Sequence, residues 1–206
     1  ISISTSLMHI EWNNKKINIL DTPGYSDFIG DVKSAMKVCD TAVMVLKAAE
    51  GVEVGSEVSG KFVNEFGLPS AILINKIDNE ETLSKAKQRL SSGAIAVTFP
   101  AVEGILFNTV VDVLKMKAFT YGDAGSKKIA EAEIPENLKS KAEEYRTELI
   151  EKIAETNEEL MNKYFEEGSL SDSDIETGLK AAIIGRSLSP VFAISATKAV
   201  GVNNFL

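Results

Sequence analysis

The chain has 206 residues, of which 44% are hydrophobic, and a formal net charge of -8. That composition predicts a folded, soluble protein with a substantial apolar core. No apolar run approaches the roughly 18 residues of a membrane span and no basic-then-apolar leader is visible, so we expect neither membrane insertion nor secretion. The single cysteine, Cys39, cannot form an internal disulfide, which favours a reduced, cytoplasmic setting.

One segment of the chain carries the negative charge. Residues 131–176 contain 15 acidic and 5 basic side chains, so the remainder is close to neutral. A strongly acidic helix is usually a solvated face, and it also repels nucleic acid. We therefore expect no direct contact with DNA, and we expect this segment to face a protein if the molecule works near RNA.

The N-terminal residues alternate between apolar and polar side chains. They predict two strands, residues 1–12 and 16–20, joined by a turn at Asn13 and Asn14, because asparagine tolerates the left-handed conformation of a tight hairpin turn. Apolar residues at helical spacing then predict a helix over residues 26–39. The chain is therefore expected to begin with a hairpin followed by a helix.

Strands and helices alternate in the next part of the chain. Residues 41–46 and 70–74 are continuous apolar runs typical of strands buried on both faces, and residues 53–66 and 80–90 have helical periodicity. This alternation with short breaks predicts an α/β fold, in which helices cover both faces of a doubly wound, mostly parallel sheet.

The pattern changes near residue 96. Short β-type runs lie between residues 96 and 121, and a charged helical stretch covers residues 135–167. Ser171 is a capping signal for a further helix that ends near residue 184. Residues 190–194 return to the buried-strand type.

We interpret this change as an insertion of one unit into another. Residues 1–95 and 186–206 form the first domain, and residues 96–185 form an inserted α+β subdomain. The last strand, after the insertion, completes the parallel sheet.

Three of the predicted strands end in unusual polar residues. In an open α/β sheet, ligands bind beyond the carboxyl ends of the strands, because loops and helix N-termini converge there. Each motif alone is weak, since a Pro-Gly pair or a polar tetrapeptide is most often only a turn. Together, in this order, they predict a guanine-nucleotide site. The motifs are Asp21-Thr22-Pro23-Gly24, Asn75-Lys76-Ile77-Asp78 and Ser195-Ala196.

The second and third motifs carry groups that can bind the guanine base. The carboxylate of Asp78 can accept two hydrogen bonds from guanine, whereas adenine would leave this acceptor unpaired at a cost of about 1–3 kcal/mol. The aliphatic stem of Lys76 can lie along the base, Asn75 can tie neighbouring loops together, and the N–H of Ala196 can reach the guanine oxygen. Ser195 precedes that amide.

The first motif carries groups that can bind the phosphates of the nucleotide and their magnesium ion. Asp21 can hold a magnesium ion through water, and Gly24 can bring its N–H to a terminal phosphate without an intervening side chain. Pro23 and Gly24 together form a hinge that can change conformation when the terminal phosphate leaves.

Over essentially its whole length, the chain also resembles the translational GTPases, and specifically elongation factor G. The resemblance rests on the three motifs, on the separation of the two guanine loops by residues 79–194, and on four further segments. Elongation factor G is known for a subdomain placed in that separation, which small GTPases do not need. The four segments are Ile1-Ser2-Ile3 and residues 49–52, 111–118 and 158–164.

The resemblance implies a P-loop-NTPase-like fold, with a GTP-binding (G) domain and an inserted G-prime-like subdomain. It implies GTP or GDP and Mg²⁺ as ligands, with Ser2 offering a hydroxyl to the metal and Thr22 among the nucleotide-binding residues. It implies a cytoplasmic, membrane-free protein whose GTP hydrolysis promotes ribosomal translocation. The acidic insertion would contact a ribosomal stalk protein.

One position departs from the family's pattern at the predicted catalytic site. The family usually has histidine after Asp-Thr-Pro-Gly, where it positions the attacking water, but this chain has Tyr25. Tyrosine can hydrogen-bond water, yet it cannot become a cation, and its reference pKa near 10 makes it a poor base. We expect slower hydrolysis, or hydrolysis that depends more on the ribosome.

A second departure concerns the phosphate-cradling loop, Gly-x-x-x-x-Gly-Lys-Ser/Thr, which the sequence lacks. Residues 55–62 mimic the spacing, but Phe62 replaces the hydroxyl and the run lies in a predicted helix. The chain therefore looks like a fragment whose sheet lacks its central first strand, between the hairpin and residues 41–46. We expect the isolated chain to close this gap, rearrange or self-associate, and to bind GTP weakly or not at all.

Two alternative functions remain open at the level of sequence. The chain could be a ribosome-binding module that contacts the stalk and has no catalysis of its own. The full-length protein could also be a paralogue that recycles or protects ribosomes, or a release factor of related build.

Overall fold

A computed structural model describes residues 2–76, 86, 88–102, 104–122 and 128–206. The chain begins with a hairpin of two antiparallel strands, β1 (Ser6–Trp12) and β2 (Lys15–Asp21), in which Trp12 pairs with Lys15. Asn13 and Asn14 form the two-residue turn, with φ of 47° and 60°, so both adopt the left-handed conformation that such a turn requires. The predicted hairpin is confirmed.

The first strand is shorter than predicted. It begins at Ser6, because the N–H of Thr5 donates to Oδ2 of Asp31, 3.0 Å away, instead of joining the ladder. Asp31 lies in helix α1 (Ile29–Met36), which follows a 3₁₀ turn over Ser26–Phe28. The start of the chain is thus held against α1 by a charge-assisted hydrogen bond.

A four-stranded parallel sheet forms the centre of the molecule. Its strands are β3 (Ala42–Lys47), β4 (Ser70–Asn75), β5 (Ala94–Ala96) and β10 (Ser189–Ile194), in the order β3-β4-β10-β5. Strand β10 is buried along its full length because it lies between two neighbours. The α/β fold with a mostly parallel sheet is therefore confirmed.

The prediction that residues 41–46 are buried on both faces is wrong. Strand β3 is an edge strand, and Val43 and Val45 on one face are 44% and 60% exposed, whereas Leu46 on the other face is buried. Hairpin β1-β2 forms a separate sheet, and among the described residues no strand pairs with the free edge of β3. The missing strand expected between β2 and β3, and the expected closure, rearrangement or self-association of the isolated chain, stay predictions.

Helix α2 (Val54–Glu65) packs near β3 and is joined to α1 by the ammonium group of Lys33, which lies 4.2 Å from the centre of the Phe62 ring. The glycines that mimic a phosphate loop, Gly55 and Gly60, lie inside this helix, as the sequence predicted. The predicted helix over residues 80–90 falls mostly outside the described residues.

A second, antiparallel sheet follows. Strands β6 (Thr98–Pro100), β7 (Thr109–Asp112), β8 (Lys117–Tyr121) and β9 (Ile129–Ala132) pair in chain order. The hydroxyl oxygen of Thr98 accepts from the N–H of Ala193, so β10 is bonded to the start of this sheet as well. The two sheets are therefore joined directly at β10.

The acidic segment is helical but is not one helix. It divides into α3 (Glu136–Ala154) and α4 (Glu158–Glu167), because Asn157 caps the second helix by accepting from the N–H of Leu160 at 2.8 Å. The single helical stretch predicted for residues 135–167 is thus corrected. Helix α5 (Asp172–Ile184) begins after the Ser171 cap, as predicted.

Apolar side chains from both sheets meet in one buried cluster, while a second cluster lies between residues of the sheets and helices α3, α4 and α5. Residues of the parallel sheet and residues of β7 and β8 pack in a single cluster, so the division into a domain and an inserted subdomain stays a prediction. No described helix is long and apolar enough to cross a membrane. The buried cluster includes Leu46, Ile72, Ile74, Phe107, Val110, Tyr121, Val191 and Val200.

Candidate functional site

The sheet topology brings two of the three motifs together. Strands β4 and β10 are parallel neighbours, and Ile194 is in register with Asn75. Their C-terminal ends therefore lie at one edge of the sheet, where Asn75 and Lys76 continue from one strand and Ser195 and Ala196 continue from the other. This is the position at which open α/β sheets bind ligands.

The side chain of Asn75 joins the two loops. Its Oδ1 accepts from the N–H of Lys76 at 2.9 Å and from the N–H of Ala196, 121 residues away along the chain, at 3.1 Å. Lys76 is exposed and has a φ of 56°, so the backbone turns sharply directly after the strand. One amide side chain thus fixes the separation of the two loops.

The same bond occupies the amide predicted to meet the guanine oxygen. In this structure the N–H of Ala196 donates to Oδ1 of Asn75. A guanine oxygen would therefore have to share this N–H with Asn75 or take the place of the Asn75 oxygen. Asp78, the predicted determinant of base selectivity, lies outside the described residues, and its role stays a prediction.

The Ser195–Ala196 loop is closed on itself. The N–H of Ser195 donates to the carbonyl of Val200, and the N–H of Val200 donates back, at 3.0 and 3.1 Å. Gly201 follows with a φ of 75°, and a Cβ there would lie 2.2 Å from the carbonyl oxygen of Ala193. Only glycine fits this position, because both the conformation and the space exclude a side chain.

The first motif lies at the end of the hairpin. Asp21 is the last residue of β2 and is exposed, Thr22 is half-buried and Pro23 is buried. Gly24 is exposed, and a Cβ added to it would meet no atom within 4 Å, so its backbone is open to a ligand. The carbonyl of Gly24 lies beside Gly55 in the first turn of α2.

Tyr25 follows Gly24 and is 58% exposed. Its carbonyl accepts from the N–H of Phe28 and so begins the 3₁₀ turn, while its side chain extends into solvent. The predicted position beside an attacking water is therefore accessible.

The residues proposed for Mg²⁺ are oxygen donors of the kind that this ion prefers. Ser2 and Asp21 are both exposed, and the described residues contain no group of three or more His, Cys, Asp or Glu side chains able to hold a metal. This set fits an ion bound mainly by water and phosphate oxygens, with one or two protein contacts, and does not fit an all-protein cage.

The sequence did not indicate which residues anchor the Ser195–Ala196 loop by hydrogen bonds to other segments. Helix α6 (Val202–Phe205) follows the loop, and its Asn204 bonds to Tyr121 and Asp112 on the antiparallel sheet. Lys198 donates to the carbonyls of Ile105 and Phe107. No sequence pattern identifies these pairs, because each joins segments about ninety residues apart.

Comparison with known proteins agrees with this architecture. Residues 1–206, the whole chain, match the family described as the Elongation factor Tu GTP binding domain. The chain therefore belongs to this family of translational GTPase domains. Guanine-nucleotide binding, usually with Mg²⁺, is what membership implies.

A solved structure has the same fold. It is described as the crystal structure of ttk003000868 from Thermus thermophilus, and it superposes with a TM-score of 0.89 at 27% sequence identity. The match covers 98% of this chain and 31% of the other chain, so this chain spans about a third of that protein's length.

Proposed function

We propose that the full-length protein is a GTP-hydrolysing translation elongation factor of the elongation-factor-G type, which promotes ribosomal translocation in the cytoplasm. The observation that carries this proposal is the hydrogen bond between Asn75 and Ala196, because it holds the two predicted guanine loops at one sheet edge. Family membership supports the GTPase class.

At the base, each residue has a distinct role in this proposal. Asp78 accepts from the guanine donors, Lys76 covers the base with its aliphatic stem, and Asn75 keeps the two loops at a fixed separation. Ser195 and Ala196 supply the loop whose amide meets the guanine oxygen. Discrimination against adenine follows because adenine would leave the carboxylate of Asp78 and the N–H of Ala196 without a partner on the base.

At the phosphates, residues 21–24 form the segment that changes conformation when the terminal phosphate leaves. Asp21 holds Mg²⁺ through water, and the open backbone of Gly24 donates to the terminal phosphate. Bound Mg²⁺ would neutralise charge that develops on the phosphate oxygens. Tyr25 orients water through its hydroxyl and contributes no proton transfer.

The test compares nucleotides and ribosomes with the full-length protein. Calorimetry should give at least about a hundredfold tighter binding of GDP than of ADP, and ribosomes should stimulate GTP hydrolysis strongly. Equal affinity for GDP and ADP would overturn the assignment of the base site. A translocation assay then separates the elongation factor from a recycling, protection or release paralogue.

A second candidate, a stalk-contacting module without catalysis, is favoured by one feature of α4. Phe165 is 76% exposed on a helix that also carries Glu166 and Glu167, and such an exposed aromatic side chain suits a protein interface. Replacing Phe165 by serine should weaken stalk binding without changing GDP affinity. Hydrolysis that ribosomes never stimulate in the wild type would favour this second candidate.

A further inference from the structure

The side chain of Asn204 connects helix α6 to the antiparallel sheet with both of its polar ends. Its Oδ1 accepts from the hydroxyl of Tyr121 at 2.5 Å, and its Nδ2 donates to Oδ2 of Asp112 at 2.9 Å. A carboxylate can only accept here, so the orientation of the amide is fixed by its partners. Asn204 therefore has one bonding arrangement in this site.

The partners of Asn204 are themselves held firmly. Asp112 is only 4% exposed, and its other oxygen accepts from the N–H of Lys115 at 2.9 Å, in the turn between β7 and β8. Tyr121 is buried, and burial raises the pKa of its hydroxyl, which keeps it protonated as a donor. The sheet thus offers a rigid donor and a rigid acceptor at a fixed separation.

Helix α6 and the loop before it are held against strand β10 and against the segment between β6 and β7. Gly201 lies against the carbonyl of Ala193, and Phe205 packs edge-to-face on Phe192 with ring centres 5.4 Å apart. Lys198, within the loop, is anchored to the carbonyls of Ile105 and Phe107. A shift of the antiparallel sheet must therefore move the loop that contains Ala196.

We propose that Asn204 is a positioning residue for the guanine site: it sets the place of the Ser195–Ala196 loop relative to Asn75 through its bonds to Tyr121 and Asp112. This inference rests on the proposed nucleotide site and deepens it. The antiparallel sheet becomes part of the recognition of the guanine oxygen, although none of its residues lies at the base.

The test uses two variants and a matched control in the full-length protein. Asn204→Leu removes both bonds, Tyr121→Phe removes only the hydroxyl, and Asn203→Leu changes the exposed neighbouring asparagine. Binding of GDP and of 6-thio-GDP, whose sulfur is a weaker acceptor than the guanine oxygen, is measured by calorimetry. The ratio of the two affinities reports on the contact with that oxygen alone.

We expect Asn204→Leu to weaken GDP binding about tenfold and to reduce the preference for GDP over 6-thio-GDP, because the amide of Ala196 is no longer held in place. Tyr121→Phe should do the same to a smaller extent, about threefold. Asn203→Leu should behave as the wild type.

Two results would overturn the inference while leaving the nucleotide site intact. If Asn204→Leu binds both nucleotides like the control, the bonds do not position the loop. If both affinities fall by the same factor, the role of Asn204 is only structural. A wild type that binds neither nucleotide would instead overturn the proposed function, and this inference with it.

Discussion

The two ends of the candidate site are built differently. The guanine end, around Asn75 and Ala196, lies between two central strands and is supported by hydrogen bonds from several segments. The predicted phosphate end, Asp21 to Gly24, begins at the last residue of the separate hairpin, and Asp21 and Gly24 in it are exposed. Nucleotide recognition needs a fixed base site, whereas a response to the terminal phosphate needs a segment that can move at low cost.

The largest expected effect comes from Gly201→Ala at the guanine end. The new Cβ would lie 2.2 Å from the carbonyl oxygen of Ala193, and the φ of 75° adds backbone strain, so we expect a loss of about 3 kcal/mol or more in unfolding free energy. Gly104→Ala is the matched control, because Gly104 has a φ of 73° and open space around it, and should cost about 1 kcal/mol. Urea titration measures both, and equal losses would show that the steric contact is unimportant.

Asn75→Ala should produce the next largest effect. It leaves the amides of Lys76 and Ala196 without their acceptor and releases the two loops, so GDP affinity should fall at least about tenfold. Asn75→Asp keeps an acceptor oxygen and should lose less, while Asn64→Ala, at an exposed position of α2, should lose nothing. If calorimetry gives the same affinity for Asn75→Ala and the wild type, the tie between the loops is irrelevant to binding.

Gly24→Ala tests the opposite end of the site. A Cβ at this position meets no atom within 4 Å, so the unfolding free energy should change by less than about 0.5 kcal/mol. The methyl group would nevertheless hinder the approach of the backbone to a terminal phosphate, so we expect GTP affinity to fall about three- to tenfold while GDP affinity is kept. An equal loss for both nucleotides would contradict the division of the site into two ends.

Tyr25→His should raise ribosome-stimulated GTP hydrolysis by a few fold, because histidine can carry a positive charge near the developing negative charge and tyrosine cannot. Stability should not change, since the side chain is exposed. Tyr25→Phe is the control that removes only the hydroxyl. Unchanged hydrolysis in Tyr25→His would show that this position does not limit the rate.

The smallest expected effect is an alkaline loss of stability that arises from Tyr121 on the antiparallel sheet. Burial raises the pKa of Tyr121 above its usual value near 10, so the folded protein keeps this proton more tightly than the unfolded chain does. The stabilisation is fully present below about pH 10 and is lost as the pH rises through the folded pKa. Tyr121→Phe should flatten this part of the stability profile, and an unchanged profile would show that Tyr121 ionises freely.

The sequence predicted the parts of this structure that depend on local patterns. The Asn13-Asn14 turn, the Ser171 cap and the parallel strands all follow from residue types at short spacing. Strand β3 was predicted as buried because its composition is apolar, but composition does not report which neighbours are present. In the structure β3 is the edge strand of the parallel sheet, and Val43 and Val45 on one of its faces are exposed.

In the candidate site, too, the features that depend on local patterns could be predicted from the sequence. The three motifs stand at strand ends, and parallel pairing alone brings Asn75 opposite Ile194, directly before Ser195. The bond that occupies the amide of Ala196, and the support from Asn204, Tyr121 and Asp112, could not be predicted, since they depend on how the antiparallel sheet packs against the last helix. Contacts between distant segments leave no spacing signal in one sequence.

NMR can observe directly whether the amide of Ala196 contacts a bound guanine base. In the full-length protein labelled with ¹⁵N-alanine, the Ala196 resonance can be assigned with Ala196→Ser, and the buried Ala142 in α3 serves as an internal reference. We expect GDP to shift the Ala196 resonance, ADP to leave it in place, and the Ala142 resonance to stay unchanged. An Ala196 resonance that does not move at saturating GDP would contradict the claim that this loop and Asn75 hold one guanine base between them.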